Sequence, residues 1–177
     1  MGHLVNLTFR KAFVADIPQL IDLAKEIWLP TFAVYFSETE LNSLFSGMYN
    51  TDRITADLQN PHYALHIVEN TAQKPVGYFA TAIKPTYLKL DKIYVSPKLQ
   101  GQGIGKWIFD EIVRQAREQS LDSIQLNVNR RNAPAISFYK KLGFKIIRSE
   151  DIPGPNGFVY DDFVMEFEVS EGMLIKY

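Results

Sequence analysis

A short apolar run, Ile93 to Val95, leads into Ser96-Pro97 and then into Gln100-Gly101-Gln102-Gly103-Ile104-Gly105-Lys106, after which an amphipathic segment begins. Strand, glycine loop and helix in that order constrain the fold more than any other feature of the chain. Proline removes a ladder donor and ends the strand. Glycines at every second position let the backbone take positive φ and come close to a ligand. The first N–H groups of the following helix have no internal partner, and the helix dipole favours negative charge there. The segment therefore predicts an anion site made of backbone, suited to a phosphate.

Two familiar phosphate-binding patterns do not fit. A G-x-G-x-x-G fingerprint starting at Gly101 needs glycine where Lys106 stands. A P-loop ending in Gly105-Lys106 needs glycine at position 100 and Ser or Thr at position 107, which are Gln100 and Trp107. What remains is Q-x-x-G-x-G, Gln100 to Gly105, directly after a strand. The competing reading is a tight strand-to-helix turn without a ligand.

A length of 177 residues fits a single α/β domain spanning 1–177, and 46% apolar residues supply a sizeable core. Lys+Arg number 19 against 20 Asp+Glu, so no bulk charge draws the chain to nucleic acid or a membrane surface. The absence of cysteine excludes disulfides, thiolate metal sites and a cysteine nucleophile, and no metal site is expected. There is no secretory apolar run, no stretch long enough to span a bilayer, and Asn6 breaks the myristoylation pattern that Gly2 would begin. A cytoplasmic protein is expected.

Val5 to Arg10 alternates as a first strand. Asp16 is expected to cap a helix with Pro18 in its first turn, its stripe running out at Leu29-Pro30. Ser37 to Glu40 predicts the cap of a second helix, and Thr51 to Leu58 a short third one. Tyr63–Glu69 and Val76–Ile83 read as a hairpin, Leu88–Val95 as the strand feeding the glycine loop. Ile104, Trp107, Ile108, Ile112, Val113 and Ala116 give the next helix its buried stripe. Ile124–Val128 is a strand, and Asn132 caps a helix that ends at Leu142-Gly143, where glycine suits the position after the last turn. Phe144–Arg148 and Phe158–Glu168 close the chain as strands around a Pro153-to-Gly157 turn. No internal repeat or linker interrupts this mixed α/β pattern.

The glycine loop after its strand resembles the pyrophosphate loop of the GNAT N-acetyltransferases. Asn132-Ala133-Pro134-Ala135-Ile136-Ser137-Phe138-Tyr139-Lys140-Lys141-Leu142-Gly143-Phe144 is similar to that family's N-x-x-A-x-x-F-Y-x-x-x-G-F signature. The order β-αα-β-β-β-α-β-α-β-β matches as well, so the resemblance covers about residues 5 to 168. It implies a largely antiparallel mixed sheet with helices on both faces and a splayed strand pair, 88–95 against 124–128. Acetyl-CoA is the implied cosubstrate. Ile93, Tyr94 and Val95 would hold its acetyl and pantetheine portion through their backbones. Gln100, Gly101, Gln102, Gly103, Ile104, Gly105 and Lys106 would wrap the pyrophosphate, and Asn132 would contact the arm. A glycine loop alone is a weak signal; both motifs in this order and spacing are strong.

Acetyl transfer to an amine needs a neutral amine, a polarised thioester carbonyl and a proton for the departing thiolate. A free alkylamine resembles lysine, with a pKa of about 10.4, so only about one molecule in a few thousand is nucleophilic at pH 7. The family resemblance gives the general acid to Tyr139. Period-two alternation puts Asp91 on the face of Ile93 and Val95, where many relatives carry an acidic base, often acting through water. Surface pairing with Lys89 or Lys92 is the competing reading for Asp91. His66 has a pKa suited to a base, but a lone strand histidine is more often structural. Positioning without any dedicated base is a further alternative.

Acceptor specificity is expected from the 29–49 segment and the 150–163 hairpin, through Phe32, Tyr35, Glu38, Tyr160, Asp161 and Asp162. Aromatics with carboxylates suit a cationic amine. Gly157 to Met165 and the Thr31-Phe32 to Tyr35-Phe36 region also resemble bacterial spermidine/spermine N-acetyltransferases, which makes a polyamine the first expectation. The alternatives are a peptide or protein N-acetyltransferase and a non-catalytic module that binds acyl-CoA. A small-molecule amine is the expected partner, with neither nucleic acid nor membrane, and a homodimer is left open.

Overall fold

The computed structural model describes residues 6–154 and 157–169. Val5, at the head of the expected first strand, and Pro155-Asn156 of the expected turn lie outside them. The strands are β1 (Thr8–Lys11), β2 (Tyr63–Glu69), β3 (Pro75–Ile83), β4 (Leu88–Val95), β5 (Ser123–Asn129), β6 (Lys145–Pro153) and β7 (Val159–Glu168). The helices are α1 (Ile17–Phe32), α2 (Glu38–Met48), α3 (Thr51–Gln59), α4 (Ile104–Glu118) and α5 (Ala133–Leu142). All the strands join one sheet in the order β1-β2-β3-β4-β5-β7-β6. Every neighbouring pair is antiparallel except β4 and β5, which run parallel.

Each face of the sheet buries its own cluster. On one side Ile27 and Trp28 of α1 and Leu44 of α2 pack with Ile67 and Tyr78. On the other, Ile108 and Ile112 of α4 pack with Phe79, Ile124 and Met165. Each such side chain contributes about 1.5–3 kcal/mol relative to exposure. The expected α4 stripe is buried, with Phe109 added to it and Trp107 left at its margin. No helix among the described residues is long and apolar enough to cross a membrane.

The parallel pair is short. Leu88 pairs with Ile124 and Lys89 with Gln125, and the two strands then part. The register between β3 and β4 shifts at Ala80/Thr81, which pair with Lys92 and Leu90 and leave Asp91 without a partner. A bulge of this kind bends its strand, and β4 swings away from β5 from that point on. The splay opens a slot through the sheet directly beneath the glycine loop.

Local chemistry departs from expectation in three places. Asp16 makes no capping bond to α1; its carboxylate instead grips Arg10 at 2.8 and 2.9 Å and accepts the Phe13 N–H. Helix α1 runs through Pro30 to Phe32 rather than stopping at Leu29. An interior proline costs about 3 kcal/mol, and here the extra turn sets Phe32 against Trp28 with ring centroids 4.6 Å apart. Strand β6 extends to Pro153, five residues beyond Arg148, because β7 offers it a partner along that whole length. By contrast α2 starts as expected: Ser37 and Glu40 satisfy each other's backbone N–H groups.

Candidate active site

A cavity of about 510 Å³ fills the slot between β4 and β5, from the glycine loop at one mouth to the end of α1 at the other. Its upper wall is backbone. Gly101 and Gly103 have φ of +78° and +80°, a region where a Cβ is strained. Gly103 is the N-cap of α4, and the helix's first internal bond runs from the Trp107 N–H to the Gly103 carbonyl. The N–H groups of Ile104, Gly105 and Lys106 are therefore left for a ligand. No acidic side chain stands in that first turn to take them. Gly105 is a glycine for a different reason: a Cβ there would lie 2.9 Å from the Phe138 ring of α5. Gln100 reaches back to the Val95 carbonyl at 3.3 Å, and Lys106 pairs with Asp110 at 2.7 Å.

The ladder decides which backbones face the slot. The Ser96 N–H donates to the Val76 carbonyl across β3. Antiparallel alternation then turns the Tyr94 peptide toward β3 and the Ile93 and Val95 peptides toward the gap left by β5. Of the three backbones expected to hold a pantetheine arm, those of Ile93 and Val95 face the gap, the Val95 carbonyl already accepting from Gln100, and that of Tyr94 is turned to β3. Asn132 is buried at the N-cap of α5, where its Oδ1 accepts the Ala135 N–H at 3.2 Å. The Nδ2 group is the part of this side chain that remains for a ligand.

Tyr139 lines the same cavity, its ring held between Phe138 and Phe144. Burial raises its phenol above the ordinary value. Its hydroxyl has no hydrogen-bond partner within the described residues.

Among the described residues Asp91 is the one carboxylate that lines the cavity. The bulge breaks the expected alternation: Asp91 does not share the face of Ile93 and Val95, which pack into the α4 side of the sheet. Its Oδ2 accepts the Tyr63 hydroxyl at 2.6 Å and lies 2.5 Å from Lys92 Nζ. Against the penalty of burial, Lys92 and Tyr63 hold its pKa below the usual carboxylate value. Such a group is a firm anion and a weak proton acceptor. Tyr63, raised by burial and by Asp91, stays a neutral donor.

The acceptor residues expected from sequence are only partly brought together. Phe32 lines the cavity, stacked on Phe36, tilted against Trp28 and edge-on to Tyr94. Tyr35 packs against Phe32 outside the cavity, its carbonyl held by Arg131 at 3.2 Å. Glu38 is exposed in the first turn of α2 and does not reach the cavity. Tyr160 packs on Phe158 in the aromatic cluster above the α1 end. Asp161 is taken by Asn129 Nδ2 at 2.8 Å and by Arg131 at 3.6 Å. Burial raises Asp162, whose neighbours include Asn127, Asp161 and Lys89. Its neighbour Glu150 is bound by Arg148 at 2.7 Å and by Asn127. Glu150, Asp151 and Asp161 are thus ion-paired within the protein, and none of the hairpin acids, Asp162 included, lines the cavity.

Sequence reasoning missed Tyr63, Asn127, Asn129 and Phe138, whereas the Asp91–Lys92 pair is the competing reading it gave for Asp91. The alternation of Gln125, Asn127 and Asn129 on β5 was a readable signal for a polar face at the slot. Tyr63 had none, because it meets Asp91 from 28 residues away in the chain. His66 stacks on Phe79, and burial lowers its pKa to about 4. It lines a separate cavity of about 360 Å³ with Thr81 and Gln115, and so is not the base. Among the described residues no group of three or more His, Cys, Asp or Glu could hold a metal ion.

The chain belongs to the acetyltransferase (GNAT) family, whose model matches residues 20–144. It is 27% identical over 165 residues to a spermidine N(1)-acetyltransferase of Thermoplasma acidophilum, covering 92% of this chain and 97% of that one. The crystal structure of the paiA N-acetyltransferase of the same organism, in complex with coenzyme A, superposes with a TM-score of 0.78. It is 25% identical, with 92% of this chain and 99% of that one covered. A peptidyl-lysine N-acetyltransferase, YjaB of Salmonella typhimurium, is 33% identical over 91 residues, 51% of this chain and 57% of the relative.

Proposed function

We propose that the protein transfers the acetyl group of acetyl-CoA to a primary amine of a small polycation, a polyamine of the spermidine class. The observation that carries the acceptor is Asp91, an anion held in the wall of a cavity that Tyr139 also lines. The likeness to a spermidine N(1)-acetyltransferase along nearly the whole of both chains supports the same reading.

The residues present fit acetyl-CoA. Ile104, Gly105 and Lys106 offer free N–H groups beside two left-handed glycines, where a pyrophosphate would sit. Ile93 and Val95 would hold the pantetheine arm from β4, and Asn132 from α5. Acetyl-CoA supplies the acetyl group on a thioester, an activated acyl donor with a thiolate as leaving group. Tyr139 keeps a proton at the cavity wall and delivers it as negative charge develops there, the general-acid role. Asp91 anchors an ammonium. The proton-abstracting role expected of it would set a carboxylate held below its usual pKa against an ammonium of pKa about 10.4, so the reacting amine enters in its neutral form and positioning, without a dedicated base, carries the rate.

The test is CoA release from acetyl-CoA with spermidine, spermine, a monoamine and a peptide bearing a free N-terminus. Turnover is expected with the polyamines and at most weakly with the peptide. Peptide turnover with silent polyamines would place the protein with the peptide acetyltransferases.

A further inference from the structure

The Asp91 carboxylate already holds a primary alkylammonium, and it is the protein's own. Lys92 Nζ lies 2.5 Å from Asp91 Oδ2, 3.1 Å from the Tyr63 hydroxyl and 5.7 Å from the Tyr63 ring centroid. Carboxylate, phenol oxygen and aromatic ring together are the groups that recognise an amine cation. The bulge at Asp91 sets both members of the pair in the cavity wall. Resting on the polyamine reading above, we infer that this cradle is the subsite for a second, non-reacting ammonium of the acceptor, and that Lys92 fills it until the acceptor displaces it.

The neighbouring ion pairs point to Asp91 as the place of exchange. Arg148 holds Glu150, Arg130 holds Asp151 and Arg131 holds Asp161, the last guanidinium also lying 5.4 Å over the Phe36 ring. A guanidinium is a planar fork that gives up little freedom per bond made. Lysine is a point charge on a flexible stem. Exchange at Asp91 keeps charge constant in the cavity: one ammonium enters as another swings out along its four-carbon stem. Acceptor affinity then carries the cost of moving Lys92, and only an acceptor with a second cation recovers it at Asp91.

Two variants move the acceptor's Michaelis constant in opposite directions. Lys92→Met should lower the spermidine KM by about tenfold with kcat changed less than twofold, leaving the KM of a simple monoamine in place. Lys92→Arg, which can fork onto Asp91, should raise the spermidine KM and again spare the monoamine. Calorimetry without acetyl-CoA should show the same order of spermidine affinity, Met above wild type above Arg. If Lys92→Met does not fold, the rise in Lys92→Arg carries the test. A higher spermidine KM in Lys92→Met, or an equal fall for spermidine and the monoamine, overturns the inference. Normal wild-type turnover with unchanged spermidine KM in both variants overturns it alone. A wild type that does not acetylate spermidine overturns the polyamine reading and this inference with it.

Discussion

The two mouths of the cavity are made of different material. At the glycine loop the ligand-facing groups are peptide N–H groups, presented by left-handed glycines and a helix start and supported by the Phe138 ring under Gly105. At the α1 end they are side chains of β4, Asp91 and Lys92, already engaged with each other and with Tyr63 of β2, which lies outside the cavity lining; behind them Glu150 is held by Arg148 and Asp161 by Arg131. A backbone site tolerates wide sequence change so long as glycine stays where φ is positive. A side-chain site is retuned by single substitutions. Donor binding and acceptor choice should therefore separate under mutation.

The largest effect is expected between the two ends. Tyr139→Phe keeps the ring packing and removes the hydroxyl, and kcat should fall by roughly 10²–10⁴-fold while acetyl-CoA affinity stays put. Steady-state kinetics with calorimetry of the donor checks this; a drop below threefold would leave Tyr139 as a packing residue. Burial raises this phenol, so it remains protonated past its ordinary pKa of about 10. A pH profile should accordingly show no alkaline loss from it below about pH 10.

Next comes Asp91→Asn, which keeps the shape but loses the charge. The spermidine KM should rise by about ten- to a hundredfold, the worth of one charge-assisted contact, with the donor Kd within twofold of wild type. An equal loss of donor affinity would erase the division between the ends.

At the other mouth, Gly103→Val forces a β-branched residue into φ +80°. Donor affinity should weaken by at least about tenfold, or 1.4 kcal/mol, with acceptor KM spared. The comparison sharpens with Gly105→Ala: its Cβ meets Phe138 at 2.9 Å, so the melting temperature should fall together with donor affinity. The Gly103 variant has open space around its Cβ and fails through backbone conformation alone. An unchanged donor isotherm in folded Gly103→Val would dismiss the loop as a phosphate site.

The smallest effect is ionic. Raising salt should increase the spermidine KM by about two- to threefold, because a Debye length of about 8 Å at physiological strength shortens further. No change would mean that the acceptor is recognised by its neutral parts.

The two ends were also unequally legible. Gln100-Gly101-Gln102-Gly103-Ile104-Gly105-Lys106 could be read because loop, cap and free N–H groups are consecutive in the chain, and consecutive residues meet whatever the fold does. The Asn132 cap and the α2 capping box were readable for the same reason, whereas Tyr139 entered only through the family resemblance. The acceptor residues were not legible: Glu38, Asp161 and Asp162 have the right chemistry, but Glu38 stands exposed on α2 and Asp161 meets Asn129 and Arg131, and none of the three lines the cavity. Asp91 was found by type and misplaced by face, since a bulge is a property of two paired strands.

What the sequence determined by itself is what local stereochemistry determines. It set the helix periods, the stop at Pro97, the positive-φ glycines of the loop and the caps at Ser37 and Asn132, though not the one at Asp16. What only the tertiary structure decided is what strand pairing decides. The shift at Ala80/Thr81 bends β4 off β5, opens the slot, and turns Asp91 toward Tyr63 rather than into the α4 core. The free energy of that arrangement resides in contacts between residues far apart in the chain, and no window of sequence contains both partners.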